Sequence, residues 1–190
     1  MRIIAGAFKS RTILAPEGTG TRPTTDRARE TLFNVLNNLV DFEDIRVLDL
    51  FAGSGALAFE AISRGASHAT LVERDRKATQ GAKTNAHALG IEQHVTILPI
   101  DVFRFLKKPA EVTAGDVGFD LILTDAPYDE PRSLAELPML IFENKWLAKD
   151  GICAIEHRSN TQLDIPEVAR VIRELKAGEA GFTIVSWSKL

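Results

Sequence analysis

The chain has little of several features that would place it in a special class of protein. It has one cysteine in 190 residues, which excludes an internal disulfide and a multi-cysteine metal site. That residue, Cys153, lies in an apolar run, where a buried and unreactive thiol is expected. No apolar run approaches the roughly 18 residues of a membrane span, and residues 1–6 lack the pattern of a signal peptide. We therefore expect a cytoplasmic monomer without membrane contact.

Metal-ligating patterns are also lacking. The four histidines share no ligand spacing and no common motif, so surface or structural roles are expected for them. They are His68, His87, His94 and His157. The sequence therefore predicts chemistry that needs no metal.

An excess of positive charge is absent from the chain as a whole, because the net charge is −3. This argues against a generally basic nucleic-acid-binding protein. Residues 1–30 nevertheless hold six basic and three acidic side chains, and a local basic segment can bind phosphates because salt screens distant charges. The basic residues are Arg2, Lys9, Arg11, Arg22, Arg27 and Arg29.

Residues 1–24 resemble an extension outside the core. Short strand-like pieces at 2–4 and 11–14 precede a segment broken by prolines and glycines. Two interpretations remain open for this extension. It is either a loose solvated arm or a basic hairpin that touches a polyanion.

A regular alternation of elements follows. A helix capped by Thr24 or Thr25 is predicted to run to about Val40. Apolar strands are then predicted at 46–51, 69–73, 95–98, 119–124 and 151–156, with helices at 55–64, 75–89, 101–107 and 133–147. Apolar strands separated by helices indicate an α/β fold with a doubly wound parallel sheet. Apolar and polar residues alternate near the end of the chain, which predicts a closing antiparallel hairpin.

One stretch has the pattern of a ligand-binding turn. Residues 47–58 read V-L-D-L-F-A-G-S-G-A-L-A, which predicts a strand, a turn on Gly53 and Gly55, and the start of a helix. Glycine lets a ligand approach the backbone, and the first-turn N–H groups of a helix lack intrahelical partners. In doubly wound sheets, ligands bind outside the carboxyl ends of the strands.

Four acids stand at or just beyond successive strand ends: Asp49, Glu73, Asp101 and Asp125. Such a row suggests a rim that binds a polar, partly cationic ligand. Glu73 stands 18 residues after Gly55, a distance that suits an acid accepting the hydroxyls of a ribose. The turn also fits G-x-G-x-x-A, so a nicotinamide-dependent oxidoreductase has to be considered.

The segment T-D-A-P-Y, residues 124–128, argues against the oxidoreductase. The Asp125 carboxylate and neighbouring backbone carbonyls can accept both N–H groups of an exocyclic amine. The ring of Tyr128 can stack on a flat base taken out of its helix. Hydride transfer has no use for that combination.

These motifs resemble those of the bacterial RsmD family. The block R-P-T-T-D-R-A-R-E-T-L-F-N is the most specific part, and D-L-F-A-G-S-G-A-L-A, V-E-R-D, D-A-P-Y, R-I-I-A-G and W-L-A-K-D-G-I agree with it. The resemblance covers nearly the whole chain. It implies a Rossmann-like class I S-adenosylmethionine-dependent methyltransferase at residues 25–190, with a seven-stranded, mostly parallel sheet covered by helices on both faces.

The resemblance also implies an activity, a partner and roles for particular residues. The family transfers methyl groups to guanine N2 of 16S ribosomal RNA, at a guanine-966-type site, in free RNA or a small-subunit assembly intermediate, and leaves S-adenosylhomocysteine. Asp49, Phe51, Gly53 and Gly55 would border the methionine side of the cofactor. Glu73 would hold the ribose hydroxyls, Asp101 the adenine amine, and Asp125 would contact both cofactor and base. The target-base site would be Asp125, Ala126, Pro127 and Tyr128, and the six basic residues would face RNA.

The sequence departs from the family pattern at Ala126, where the family has proline. The alanine frees φ, adds an N–H group and relaxes the restriction on Asp125. We expect a less rigid site in which the carbonyl of residue 126 remains available. Besides the oxidoreductase, an adenine-N6 methyltransferase on DNA or RNA and a non-catalytic RNA-binding assembly factor stay open.

Overall fold

The computed structural model describes residues 1–15, 26–110 and 118–188. Helices in this part of the chain are α1 (Asp26–Leu36), α2 (Ala56–Ser63), α3 (Arg76–Leu89), α4 (Val102–Leu106) and α5 (Glu136–Glu143). The strands are β1 (Arg46–Leu50), β2 (His68–Val72), β3 (Val95–Leu98), β4 (Phe119–Thr124), β5 (Leu147–Arg158), β6 (Ala169–Ala177) and β7 (Ala180–Trp187). No helix in the described ranges is long and apolar enough to cross a bilayer.

The strands form one sheet with the order β3-β2-β1-β4-β5-β7-β6. Strands β1 to β5 are parallel to one another, whereas β7 is antiparallel to both β5 and β6. The predicted parallel sheet and the closing hairpin are therefore confirmed. Because β1 lies between β2 and β4, the segments that follow these strands meet at one edge.

Both faces of the sheet are covered, which explains why the strands are apolar along their length. Val47 belongs to the core cluster that contains α1, α2 and α3 residues, whereas Leu48 and Leu50 belong to the cluster that contains α4 and α5 residues. Cys153 lies in the second cluster, and burial raises the pKa of its thiol, as expected for an unreactive cysteine.

The described part of the N-terminal extension is not a loose arm. Residues 1–15 form a small hairpin with a bridge between Arg2 and Thr12. Ile3 and Ile13 are each 2% exposed and belong to the main core, so the interpretation of this segment as lying outside the core is wrong for them. The buried Glu60 of α2 accepts hydrogen bonds from the Ile4 and Ala5 amides.

The boundary between α5 and β5 differs from the prediction. The helix was expected to reach residue 147, but it ends at Glu143, and β5 already begins at Leu147. Lys145 has a left-handed φ of +57°, which ends the helix, and the buried Trp146 donates its indole N–H to Leu106. Helix α1 likewise ends at Leu36, short of the predicted Val40.

Candidate active site

The turn after β1 has the backbone that its glycines predict. Phe51, Gly53 and Gly55 all have positive φ, at 60°, 55° and 87°. A Cβ atom at Gly55 would lie 2.5 Å from the ring of Phe59. Helix α2 begins directly after Gly55, so its N-terminus opens at the carboxyl edge of the sheet.

Glu73 connects this turn to the end of β2. Its Oε2 accepts a hydrogen bond from the Gly53 amide at 3.0 Å, and its Oε1 accepts one from the Asp75 amide at 2.8 Å. An ionised carboxylate has about four acceptor positions. Glu73 can therefore accept further hydrogen bonds from the hydroxyls of a ligand at the turn.

Asp49 is a buried acid with one unsatisfied oxygen. Its Oδ2 accepts a hydrogen bond from the Ala58 amide in the first turn of α2 at 3.0 Å, whereas its Oδ1 has no partner among the described residues. Burial raises the pKa of Asp49 to about 8; the Ala58 amide opposes this, and the charges of Asp125 and Glu73 add to it. A cationic or hydrogen-bond-donating ligand would satisfy Oδ1.

Asp101 caps helix α4 at the end of β3. Its Oδ1 accepts from the Arg104 amide at 3.0 Å, and its Oδ2 lies 3.5 Å from the Arg74 guanidinium. Nearby, the rings of Phe51 and Phe103 meet edge to face, with centroids 5.9 Å apart. This aromatic pair connects the β1 turn to α4.

The loop after β4 stands beside the glycine turn. The Asp125 amide donates to the Leu50 carbonyl at 3.3 Å, so the loop is joined to the end of β1. Ala126 is 3% exposed, and Pro127 is half-buried. Tyr128 is 39% exposed and donates its hydroxyl to Glu156 Oε1 at 3.1 Å. Burial and the negative charge of Glu156 raise the pKa of Tyr128.

Sequence reasoning missed two residues of β5 at this loop. The carboxylate of Glu156 contacts Tyr128, and the Arg158 guanidinium lies 5.1 Å from the centroid of the Tyr128 ring. The available signal was an acid at the end of the fifth apolar strand, in the same place as the acids of the other strands.

Asn85 of α3 is a further residue that the sequence did not indicate. It is 1% exposed, and its amide donates to the Ser54 carbonyl at 3.0 Å and to the Leu14 carbonyl at 3.1 Å. Its Oδ1 accepts from the Leu14 amide at 2.7 Å. One side chain thus joins the N-terminal hairpin to the glycine turn.

The six basic residues expected to face RNA do not share one environment. Arg2, Lys9, Arg11 and Arg27 are exposed, and Arg22 lies outside the described residues. Arg29 is 1% exposed, and its Nη2 donates to the Arg2 carbonyl at 2.7 Å. The expectation that Arg29 contacts RNA is therefore wrong, because its guanidinium is enclosed in the protein.

Comparison with known proteins assigns this chain to a family. The family model described as "Conserved hypothetical protein 95" matches residues 1–186. The Escherichia coli protein named "Ribosomal RNA small subunit methyltransferase D" is 34% identical over 97% of this chain and 88% of its own length. The protein of that name from Haemophilus influenzae is 32% identical over 97% of this chain and 92% of its own length.

Solved structures agree with this placement. The Escherichia coli protein yhhF has a TM-score of 0.83 at 31% identity, with 98% of this chain and 97% of that chain covered. The Thermus thermophilus protein TTHA0928 has a TM-score of 0.81 at 27% identity over 98% and 99%.

The sheet order and the turn after β1 define a class I methyltransferase fold. Within that class, the chain belongs to the Conserved hypothetical protein 95 family, which is the RsmD family.

Proposed function

We propose that this protein transfers a methyl group from S-adenosylmethionine to the exocyclic N2 of a guanine in 16S ribosomal RNA. The observation that carries the proposal is the meeting of two sites at one sheet edge. Strand β1 ends in the glycine turn, its neighbour β4 ends in Asp125–Tyr128, and Leu50 is in register with Thr124. A ligand on the turn and a base on the loop would therefore be neighbours.

The residues of the turn fit the methyl donor. Asp49 offers an unsatisfied buried oxygen to a cationic group, and Glu73 offers carboxylate oxygens to ribose hydroxyls. Asp101 stands at the third strand end and would contact the adenine amine. The bound donor supplies the methyl group on a sulfonium centre.

The loop supplies acceptors and a flat surface for the base. The Asp125 carboxylate and the Ala126 carbonyl would accept the two N–H groups of the amine and orient its lone pair. Such positioning can lower a barrier by roughly 7–11 kcal/mol. The amine becomes acidic only as it is methylated, so Asp125 need not be a strong base beforehand.

The relatives support ribosomal RNA as the substrate. The Escherichia coli and Haemophilus influenzae proteins carry the name ribosomal RNA small subunit methyltransferase D, and they align with nearly all of this chain. The exposed Arg2, Lys9, Arg11 and Arg27 would contact the RNA backbone, because phosphate contacts dominate such binding.

The test is methyl transfer from labelled S-adenosylmethionine to 16S RNA and to purified small subunits, with mass spectrometry of the modified nucleoside. Asp125→Ala should lower the rate by at least about a hundredfold, as expected when an orienting group in the transition state is lost. Binding of S-adenosylhomocysteine should change little. The matched control is Asp129→Ala, an exposed acid in the same loop, which should retain the rate.

Other outcomes would reject the proposal. A methylated adenosine would identify an adenine-N6 methyltransferase. RNA binding without transfer on any form of the substrate would indicate an assembly factor, in keeping with Ala126. A wild-type rate in Asp125→Ala would remove the assigned role of that residue.

A further inference from the structure

Glu156 is a buried acid that the chemistry described above does not use. It follows Ile155, which is in register with Thr124, so it lies beside the start of the Asp125 loop. The residue is 5% exposed, and its Oε1 accepts the Tyr128 hydroxyl at 3.1 Å. Because hydrogen bonds to a carboxylate are stronger than neutral ones, this contact restrains the orientation of the Tyr128 ring.

Arg158 restrains the same ring from another direction. It is exposed, and its guanidinium lies 5.1 Å from the ring centroid, which is a cation–π distance. A guanidinium stacked on a ring keeps its N–H edges available for a phosphate. Arg158 can therefore support the ring and contact an anionic backbone at once.

From these contacts we infer that β5 forms the second half of the target-base site. Glu156 is a positioning residue that sets the orientation of Tyr128, on which the base stacks. Arg158 contacts a phosphate next to the base while its guanidinium lies against the ring. This inference rests on the proposed function, because it takes the Asp125–Tyr128 loop as the base site.

The Glu156 contact can be tested without substrate, because Tyr128 is the only tyrosine of the chain. Ultraviolet titration of the phenolate therefore reports on Tyr128 alone. Glu156→Gln removes the negative charge but keeps an acceptor, so the pKa of Tyr128 should fall toward its ordinary value. An unchanged titration in a folded variant would overturn the contact.

The positioning role is tested by a double-mutant cycle on methyl transfer. Glu156→Ala should lower kcat about tenfold with unchanged S-adenosylhomocysteine binding, and Glu156→Gln should recover most of that loss. In a Tyr128→Phe background, which lacks the hydroxyl, Glu156→Ala should cost nothing further. Multiplicative losses, or failure of Gln to rescue, would overturn the role. If Glu156→Ala does not fold, the cycle is run with Glu156→Met and Tyr128→Phe, because Met keeps the volume but offers no comparable acceptor, and the same non-additivity is required.

The phosphate contact is tested by the salt dependence of binding to 16S RNA. Arg158→Ala should weaken binding several-fold and reduce the salt slope by about one phosphate contact, whereas Arg158→Lys should restore the slope. The matched control is Arg173→Ala, an exposed arginine on β6 that should leave the slope unchanged. An unchanged slope in Arg158→Ala would contradict the phosphate contact.

The proposed function and the proposed role of β5 would fail in different, distinguishable ways. If wild-type protein methylates no RNA, the proposed function fails, whatever the titration of Tyr128 shows. If it methylates guanine but the cycle is additive or the slope does not change, the role of β5 fails alone.

Discussion

The two halves of the carboxyl edge are built in different ways. The half proposed to bind the methyl donor, named the donor half, lies at the ends of β1 to β3. Each acid there accepts a hydrogen bond from a backbone amide: Ala58 for Asp49, Gly53 and Asp75 for Glu73, and Arg104 for Asp101. The half proposed to bind the base that accepts the methyl group, named the acceptor half, lies at the ends of β4 and β5. There Tyr128 is held by the side chains of Glu156 and Arg158.

This difference determines how each half responds to substitution. Backbone amides stay in place when surface side chains change, so the donor half depends on its glycines and on the start of α2. The acceptor half depends on side chains, each of which can be exchanged without altering the sheet. Changes of substrate preference are therefore expected in the acceptor half before the donor half.

The largest effect is expected from Gly55→Ala, which breaks the donor half. Its φ of +87° strains any side chain, and the new Cβ would lie 2.5 Å from the Phe59 ring. Left-handed backbone and overpacking together cost about 3 kcal/mol, so the free turn relaxes, and restoring its binding conformation costs up to about a hundredfold in affinity. Titration calorimetry with S-adenosylhomocysteine measures this loss.

The matched control for that variant is Gly90→Ala, at the end of α3. Gly90 has a φ of +74°, but no atom lies within 4 Å of an added Cβ. This variant carries the backbone strain without the clash and should bind S-adenosylhomocysteine as the wild type does. Equal affinities in the two variants would refute the role assigned to the turn.

A smaller effect, on both halves together, is expected from Arg29→Ala. The loss of buried packing and of the hydrogen bond to Arg2 should cost about 2 kcal/mol. At about 2–4 °C per kcal/mol for a chain of this length, the unfolding temperature should fall by about 4–8 °C. Differential scanning calorimetry checks this value.

The exposed neighbour Arg27 sharpens the contrast. Arg27→Ala should leave the unfolding temperature within about 1 °C, because surface changes cost little. It should weaken RNA binding and reduce its salt slope by about one contact. If Arg29→Ala has the same effects as Arg27→Ala, the buried role of Arg29 is wrong.

The smallest effect is a pH dependence confined to the donor half. With the pKa of Asp49 at about 8, binding of a cation beside Asp49 requires loss of its proton below that pH. If the bound cation lowers the pKa of Asp49 by about one unit, affinity for S-adenosylhomocysteine should rise by about tenfold in total from pH 6 and level off above about 8. Asp49→Asn should make the profile flat. Adenosine lacks the cationic amino group of S-adenosylhomocysteine, so its affinity should show no slope even with the wild type.

The same group affects stability in a defined direction. The folded-state pKa of Asp49 lies above its ordinary value of 3.8, so the folded protein keeps a proton that the unfolded chain has released. Its contribution is complete below about pH 4 and is lost as the pH rises to about 8. The unfolding temperature of wild type relative to Asp49→Asn should therefore decrease over this range.

The elements that depend on local patterns could be predicted from the sequence. Strands β1 to β4 and helices α2 to α4 agree with prediction to within one or two residues, because apolar runs and glycine turns determine them locally. The end of α5 could not be predicted, since it depends on a left-handed Lys145 and on the burial of Trp146 by other elements.

Helical geometry could have distinguished the buried arginine of α1 from the exposed one. Arg29 lies three and four residues before Leu32 and Phe33, on the buried stripe of α1, while Arg27 is two positions away and points elsewhere. Glu156 and Asn85 are different, since their partners stand 28 to 71 residues away in the chain. No local pattern reports such contacts.

The position of β7 limits the order in which the sheet can assemble while the chain is synthesised. It is the latest of the seven strands to be made, yet it lies inside the sheet, between β5 and β6, and β6 pairs only with β7 in the described chain. A nascent chain can assemble the five parallel strands first, but β6 has no strand to join until β7 follows it, because their pairing begins at the turn with Ala177 and Ala180. The sheet is therefore completed only once β7 has been made, and until then the β5 edge beside Glu156 lacks the neighbour it has in the folded protein.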